Sequence, residues 1–300
     1  MTKKPDFLIV GAAKAGTTSL YYYLQQHPDI WFPKLKETKY FSSKIKPYPQ
    51  NGIGDWSIDR AAITKSSDYY NLFKSCPDDM IKGEASPDYL LFSKDLAPII
   101  KEELGDIPII ISIRNPIYRA FSAYSNLLRD NREVLNFKSA LDSEDERINQ
   151  NWDFMWHYKK SGFYTKQIND FKKHFSNVNV ILFDDLIKSP ETTCRDIFNF
   201  LGLNEYSILC DTAHNPSGIP NSWFVKMILN RQSKAFTYLR EVLKTFIPRR
   251  ILENIAKSNM KKIKISRADF NYLNNYYSNE VDSLEKMLNK DLSDWRKWKK

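Results

Sequence analysis

Three stretches of the chain carry residue types that could do chemistry. The first is Gly11-Ala12-Ala13-Lys14-Ala15-Gly16-Thr17-Thr18-Ser19. Two glycines let a backbone loop close around an anion, Lys14 adds a full positive charge, and three hydroxyl residues add short donors. This is a cradle for phosphate or a group of its shape. It departs from the G-x-x-x-x-G-K-[ST] phosphate loop, because Thr17 stands where the lysine should be, and it lacks a G-x-G-x-x-G fingerprint. The second stretch is Arg114-Asn115-Pro116-Ile117-Tyr118-Arg119-Ala120-Phe121-Ser122. Arg114 can give forked, charge-assisted bonds to phosphate and Ser122 a hydroxyl donor, while Arg119 can instead pair with a carboxylate. The third is Lys36-Glu37-Thr38-Lys39, which on its own reads as a solvated charged edge. His157, among Trp152, Phe154, Trp156 and Tyr158, reads on its own as a structural histidine or a substrate contact.

These residues need elements to position them. Phe7 to Val10 is an apolar run ending in Gly11, and Leu20 to Gln26 is amphipathic. The first stretch therefore reads as strand, tight loop and helix N-terminus, where unpaired N–H groups and the helix dipole favour negative charge. Ile107 to Ile113 is nearly continuous in apolar residues, as expected of a strand covered on both faces, and it ends at Arg114. Further strands are expected at Met80–Glu84 and Val178–Phe183. Helices are expected at 59–73, 94–104, from Pro116 to about Arg129, 136–150, 162–175 and 189–201, the last closed by Gly202. Strands alternate with helices, which gives an α/β fold with a mainly parallel sheet. Ligands of such sheets sit at the carboxyl ends of strands, where both anion sites fall. Together the two sites suit a nucleotide with phosphates at its 5′ and 3′ ends.

Composition narrows the field. Three hundred residues can bury a sizeable core as a single domain, with a mostly helical extension from about residue 223. No apolar stretch is long enough to span a membrane. The N-terminus runs straight into the first strand without room for a signal peptide, so a cytoplasmic location with reduced thiols is expected. Cys76, Cys194 and Cys210 lack metal spacing and do not cluster with histidine, so no metal site is expected. The net charge of +9 owes much to the C-terminal part, including Lys244, Arg249, Arg250, Lys257, Lys261, Lys262, Lys264 and Arg267. That excess suggests anionic partners, but no nucleic-acid motif accompanies it; a solvated basic helical face is the simpler account, and a site for a multiply charged small ligand would also account for part of it.

The two anion motifs, in order and well separated, resemble those of sulfotransferases that use 3′-phosphoadenosine 5′-phosphosulfate (PAPS). Lys14 to Leu20 is similar to their 5′-phosphosulfate loop, and Arg114-Asn115-Pro116 with Arg119 and Ser122 to their 3′-phosphate motif. Lys36-Glu37-Thr38-Lys39-Tyr40-Phe41 and Gly83 to Tyr89 resemble segments of the heparan sulfate sulfotransferase branch. Weaker similarity runs through Gly162-Phe163-Tyr164, Phe200 to Leu203, His214 to Gly218 and Asp291 to Trp295. The resemblance implies a P-loop-like three-layer α/β fold with a helical C-terminal extension. It implies PAPS as donor, bound by Lys14, Ala15, Gly16, Thr17, Thr18, Ser19, Arg114 and Ser122.

It further implies Glu37 as general base, with His157 as the rival, and Lys14 as the group that neutralises the leaving phosphate. The acceptor would be a hydroxyl or amino group of a glycan, glycolipid or small metabolite. Two positions depart from the pattern: Ala85 stands where several relatives carry a lysine, for which Lys82 or Lys36 could substitute, and Ile219-Pro220-Asn221 is less basic than the family's loop. The rival enzyme class is a P-loop kinase or NTPase, since Val178 to Asp185 resembles a Walker B strand. The rival outside enzymes is an anion- or nucleic-acid-binding protein. Oligomeric state is not readable from the sequence.

Overall fold

The computed structural model describes residues 3–210, 218–220, 231–232 and 260–299. Strand β1 (Phe7–Gly11) leads to helix α1 (Thr17–Leu24), then β2 (Ile30–Trp31) and three short helices, α2 (Tyr40–Ser43), α3 (Trp56–Asp59) and α4 (Ser66–Asn71). Next come β3 (Ile81–Ala85), α5 (Ser93–Leu104), β4 (Ile109–Ile113) and α6 (Pro116–Arg129). After α7 (Phe137–Asp142) and α8 (Glu144–Asn149) the chain forms α9 (Tyr164–His174), β5 (Val178–Leu182), α10 (Phe183–Lys188) and α11 (Pro190–Phe200). Two-residue strands β6 (Ile219–Pro220) and β7 (Met260–Lys261) pair antiparallel, and α12 (Arg267–Tyr276) and α13 (Ser278–Leu288) follow.

The central sheet has five parallel strands in the order β2-β3-β1-β4-β5. Its side chains alternate between two cores, as a period of two requires. Leu8, Val10, Ile109, Ile111 and Ile113 enter one apolar cluster; Phe7, Ile9 and Ile110 enter the other. Helices cover both faces, which makes three layers. Leu20 and Leu24 of α1 pack in the second cluster, whereas Ile117, Ala120 and Leu127 of α6 pack in the first. β1 and β4 are neighbours, yet the chain leaves them toward opposite faces. That divergence opens a crevice beyond their carboxyl ends, where ligands of open α/β sheets bind. Phe270 and Leu273 of α12, Tyr277 at the joint and Leu284 of α13 also join the first cluster.

Two expected helices are broken. The helix expected at 59–73 is interrupted at its start: α3 ends at Asp59, residues 60–65 are irregular, and only α4 forms within the expected span. Asp59 is drawn inward to Lys39 and to the Gln50 N–H, and the Ile63 N–H donates to the Thr38 carbonyl. The polar helix expected at 136–150 is divided into α7 and α8, because its charges are not all solvated. Glu144 is fully buried and accepts from the N–H groups of Lys159 and Lys160, and Arg147 pairs with buried Glu133 at 2.6 Å. Gly202 follows α11 with φ of 73°, the left-handed stop expected there. None of the three cysteines forms a disulfide among the described residues. No helix among the described residues is long and apolar enough to cross a membrane.

Candidate active site

The loop between β1 and α1 is tied to the sheet rather than left open. The Ser112 hydroxyl on β4 donates to the Ala15 carbonyl at 2.6 Å, and the Ala12 N–H donates back to the Ser112 carbonyl. Lys14 and Gly16 both take left-handed backbone angles, φ 69° and 86°. No side chain caps the N-terminus of α1, and its first turn holds no acidic residue, so the first-turn N–H groups remain available to an anion. At Gly16 a Cβ would lie 2.7 Å from the Phe183 ring and 3.0 Å from Leu186. Gly16→Ala is therefore expected to cost roughly 1–3 kcal/mol in chemical denaturation. An unchanged denaturation midpoint would mean that α10 yields without cost.

Lys14 is half-buried. Burial lowers its pKa to about 8, Arg129 and Arg114 push the same way, and Asp130 and Glu37 oppose them. The two arginines bring positive charge to the crevice from both ends of α6. Arg129, in the last turn, bonds Asp130 through Nε at 2.9 Å; nothing in the sequence pattern singles it out.

Arg114, where β4 ends, donates from Nη1 to the Lys14 carbonyl at 3.3 Å and stacks over the Phe183 ring at 4.6 Å. The two anion motifs, a hundred residues apart in sequence, are thus in direct contact. Asn115 caps α6, its Oδ1 accepting from the Ile117 N–H, and its Nδ2 donates to the Trp295 carbonyl. Ser122 lies two turns into α6 and is half-buried. Arg119 points elsewhere. It is fully buried and donates from Nη2 to the carbonyls of His157 and Tyr158, at 3.2 and 2.5 Å. Among the described residues no carboxylate pairs with it, so the expectation of such a pair is corrected there. Its place on the buried face of α6 makes it a clamp on the 157–158 segment.

Glu37 sits beside the loop. Its backbone has φ 60°, and its N–H donates to the Ala85 carbonyl at 3.0 Å, fixing it to the carboxyl end of β3. The carboxylate accepts from Lys36 Nζ, which also donates to Thr18 Oγ1 at 3.3 Å. Burial alone would raise the Glu37 pKa. The Lys36 ammonium, with Lys39 and Lys14 beyond it, instead holds the carboxyl below its ordinary range. Of the two candidates to replace a lysine at Ala85, Lys36 is at the site. Lys82 lies toward the other end of β3 and pairs with Asp6 at 2.7 Å.

Behind Glu37 lies a set of buried charges. Lys39 is bonded to Asp59 and Asp153, both at 2.8 Å, and those carboxylates raise its pKa against the opposing effect of burial. Glu84 is buried beside Thr38 and Ser86, and burial raises its carboxyl to about 8. Lys39→Met would leave two buried carboxylates without their cation, and about 3–5 kcal/mol of folding stability should be lost in denaturant titration. A loss below 1 kcal/mol would show that water replaces the ammonium.

His157 is buried, and burial lowers its pKa to about 4. Its ring meets Phe92 edge-on at 6.1 Å. The imidazole is therefore neutral at physiological pH and enclosed by aromatic packing, whereas Glu37 is half-exposed.

A model of the sulfotransferase family matches residues 5–207. The chain belongs to the sulfotransferase family. A solved structure, a sulfotransferase from Alicyclobacillus acidocaldarius, superposes with a TM-score of 0.78 at 30% identity, over 98% of this chain and all of that one. Among curated proteins, the membrane-associated sulfotransferase kil1 of Dictyostelium discoideum is 33% identical over 120 residues, 40% of this chain and 22% of its own. Human heparan sulfate glucosamine 3-O-sulfotransferase 3B1 is 25% identical over 202 residues, 66% of this chain and 46% of its own. The matches therefore span less than half the length of these curated relatives.

Other features of this sulfotransferase-family chain are engaged in contacts of their own. Asp184 and Asp185, the Walker B-like pair, accept from the Trp295 indole and pair with Lys290, each at 2.8 Å. Among the described residues no group of three or more His, Cys, Asp and Glu is placed to hold a metal. A cavity of about 570 Å³ lies between α9 and α13, lined by Thr165, Lys166, Asp170, Lys173, Glu280 and Ser283. It shares no residue with the loop or with Glu37. The expectations for His214 to Ser217, Asn221, the helix from Trp223, and Lys244, Arg249, Arg250 and Lys257 lie outside the described residues.

Proposed function

We propose that the chain moves a sulfuryl group from PAPS to a hydroxyl or amino group of a sugar or small-metabolite acceptor. The contact between Arg114 and Lys14 carries this reading. It sets two anion sites side by side at the crevice between β1 and β4, as a nucleotide with 5′ and 3′ phosphates needs. PAPS supplies the sulfuryl group on a phosphate leaving group. The uncapped α1 N-terminus, Gly16 and the hydroxyls of Thr17, Thr18 and Ser19 hold the 5′ end; Arg114 and Ser122 hold the 3′-phosphate.

Transfer of this kind is expected to be loose and in line, so catalysis is mostly positioning and charge stabilisation. Lys14 neutralises charge that develops on the leaving oxygen. Glu37 takes the acceptor proton as the new S–O or S–N bond forms, and the bisphosphate leaves with the electron pair. Lys36 supplies the positive charge that Ala85 does not. The test is a screen with ³⁵S-labelled PAPS in EDTA against a panel of glycans, glycolipids and metabolites. Label should appear on one acceptor class. Phosphate transfer from ATP with Mg²⁺, and none of sulfate from PAPS, would turn the reading to a kinase.

A further inference from the structure

Lys36 touches both halves of the site. It lies in the irregular segment between β2 and α2, and its ammonium lies between Thr18 Oγ1, in the first turn of α1, and the Glu37 carboxylate. The side chains of Lys36 and Glu37 keep 17% and 42% of their exposure, so the pair is reachable from the crevice. The charged groups facing Glu37 are Lys36, Lys39 and Lys14. Lys39 is committed to Asp59 and Asp153 on the buried side. Lys14 is fixed within the loop, its carbonyl held by Arg114. Lys36 is joined to one carboxylate and one hydroxyl, and a four-carbon stem lets it turn between them.

An anion taken up at Thr18 stands within reach of the same ammonium. A multiply charged anion attracts it more strongly than one half-exposed carboxylate does. We propose that Lys36 is a shared counter-ion: an anion seated on the α1 N-terminus draws the ammonium away from Glu37, and the released carboxylate becomes the stronger base. Lys36 is then a positioning residue acting through Glu37, and it couples the donor loop to the proton acceptor. Glu37 is a weak base while Lys36 holds it and gains strength once the loop carries its anion. Because coupling is reciprocal, neutralising Glu37 must also tighten the anion. The inference rests on the reading of the loop as a nucleotide site and of Glu37 as base.

The test follows the Glu37 carboxyl by ¹³C NMR, its signal assigned by its loss in Glu37→Gln. The full chain is titrated as wild type, Lys36→Met and Lys36→Arg, with and without the bisphosphate product PAP. In wild type the midpoint should rise when PAP is added. In Lys36→Met it should already be raised without PAP and move less on addition. Calorimetry should then show PAP binding about tenfold weaker. Lys36→Arg should keep the low midpoint, which separates charge from folding. Identical midpoints in wild type and Lys36→Met would overturn the inference. So would PAP that binds wild type and leaves Glu37 unmoved, a result that needs no variant to fold. Wild type that binds no PAP would instead sink the nucleotide reading itself, and this inference with it.

Discussion

Lys14→Ala is expected to lower kcat for sulfuryl transfer by roughly 10²–10³-fold, the loss typical of removing one group aimed at charge that develops in the transition state. The fold should survive the change. The Lys14 pKa falls from 10.5 to about 8 on burial, so the folded protein binds fewer protons than the unfolded chain between those values. Stability from this group therefore rises with pH across that window, and its charged form opposes folding at neutral pH. Replacing it should leave the melting temperature unchanged or higher, which distinguishes lost catalysis from lost structure. The same value sets an alkaline limit. In wild type kcat/KM for PAPS should be level below pH about 8 and fall above it, as the ammonium loses its proton. Lys14→Arg should move that decline upward, because a guanidinium stays charged. A decline that persists near pH 8 in Lys14→Arg would assign the titration to another group.

Glu37→Gln should lower turnover by about 10²–10⁴-fold, the usual contribution of a general base. PAP should bind as well as to wild type or better, since a negative charge beside an anion site has been removed. Calorimetry and single-turnover assays read the two effects separately. In kcat/KM, which reports the free enzyme, the wild-type acid limb should lie below the ordinary carboxylate value of 4.5, because burial, which raises the carboxyl, is outweighed by Lys36 with Lys39 and Lys14. Glu37 is then ionised and ready through the neutral range, and activity that depends on it is lost only as pH falls through that lowered value. Near-wild-type turnover by Glu37→Gln would sink the base assignment. His157 would be the next residue to test, although its burial against Phe92 favours it less.

The parts of this molecule that were legible in the sequence are those whose signals are local. The apolar run of β4, the glycines of the loop and the stop at Gly202 each announce their geometry within a few residues. So did the proximity of two anion motifs, once strand ends were known to gather ligands. The buried charges were not legible. Lys39 finds Asp59 at a separation of 20 residues and Asp153 at 114, and nothing near Lys39 distinguishes it from a solvated lysine. Glu144 and Arg147 misled for the same reason, making a broken, half-buried segment read as one polar helix. Arg119 shows a subtler limit. Its spacing from Arg114 suggested a role with anions or carboxylates, but the helical phase of α6 turns it inward to two carbonyls. Lys36 and Lys82 were equal candidates beside Ala85 until the strand direction separated them.

The cradle also has a history within each molecule. Its loop lies among the first twenty residues, but the groups that hold it, Ser112 and Arg114, follow about a hundred residues later. Closing so long a segment carries an entropy cost that only β1–β4 pairing and the cores on either side can offset. During synthesis the loop emerges well before β4, and it is braced only after β4 has docked. A nascent chain that ends before β4 displays the whole loop sequence without the hydroxyl and guanidinium that brace it, so the shaped loop arrives only with the folded sheet.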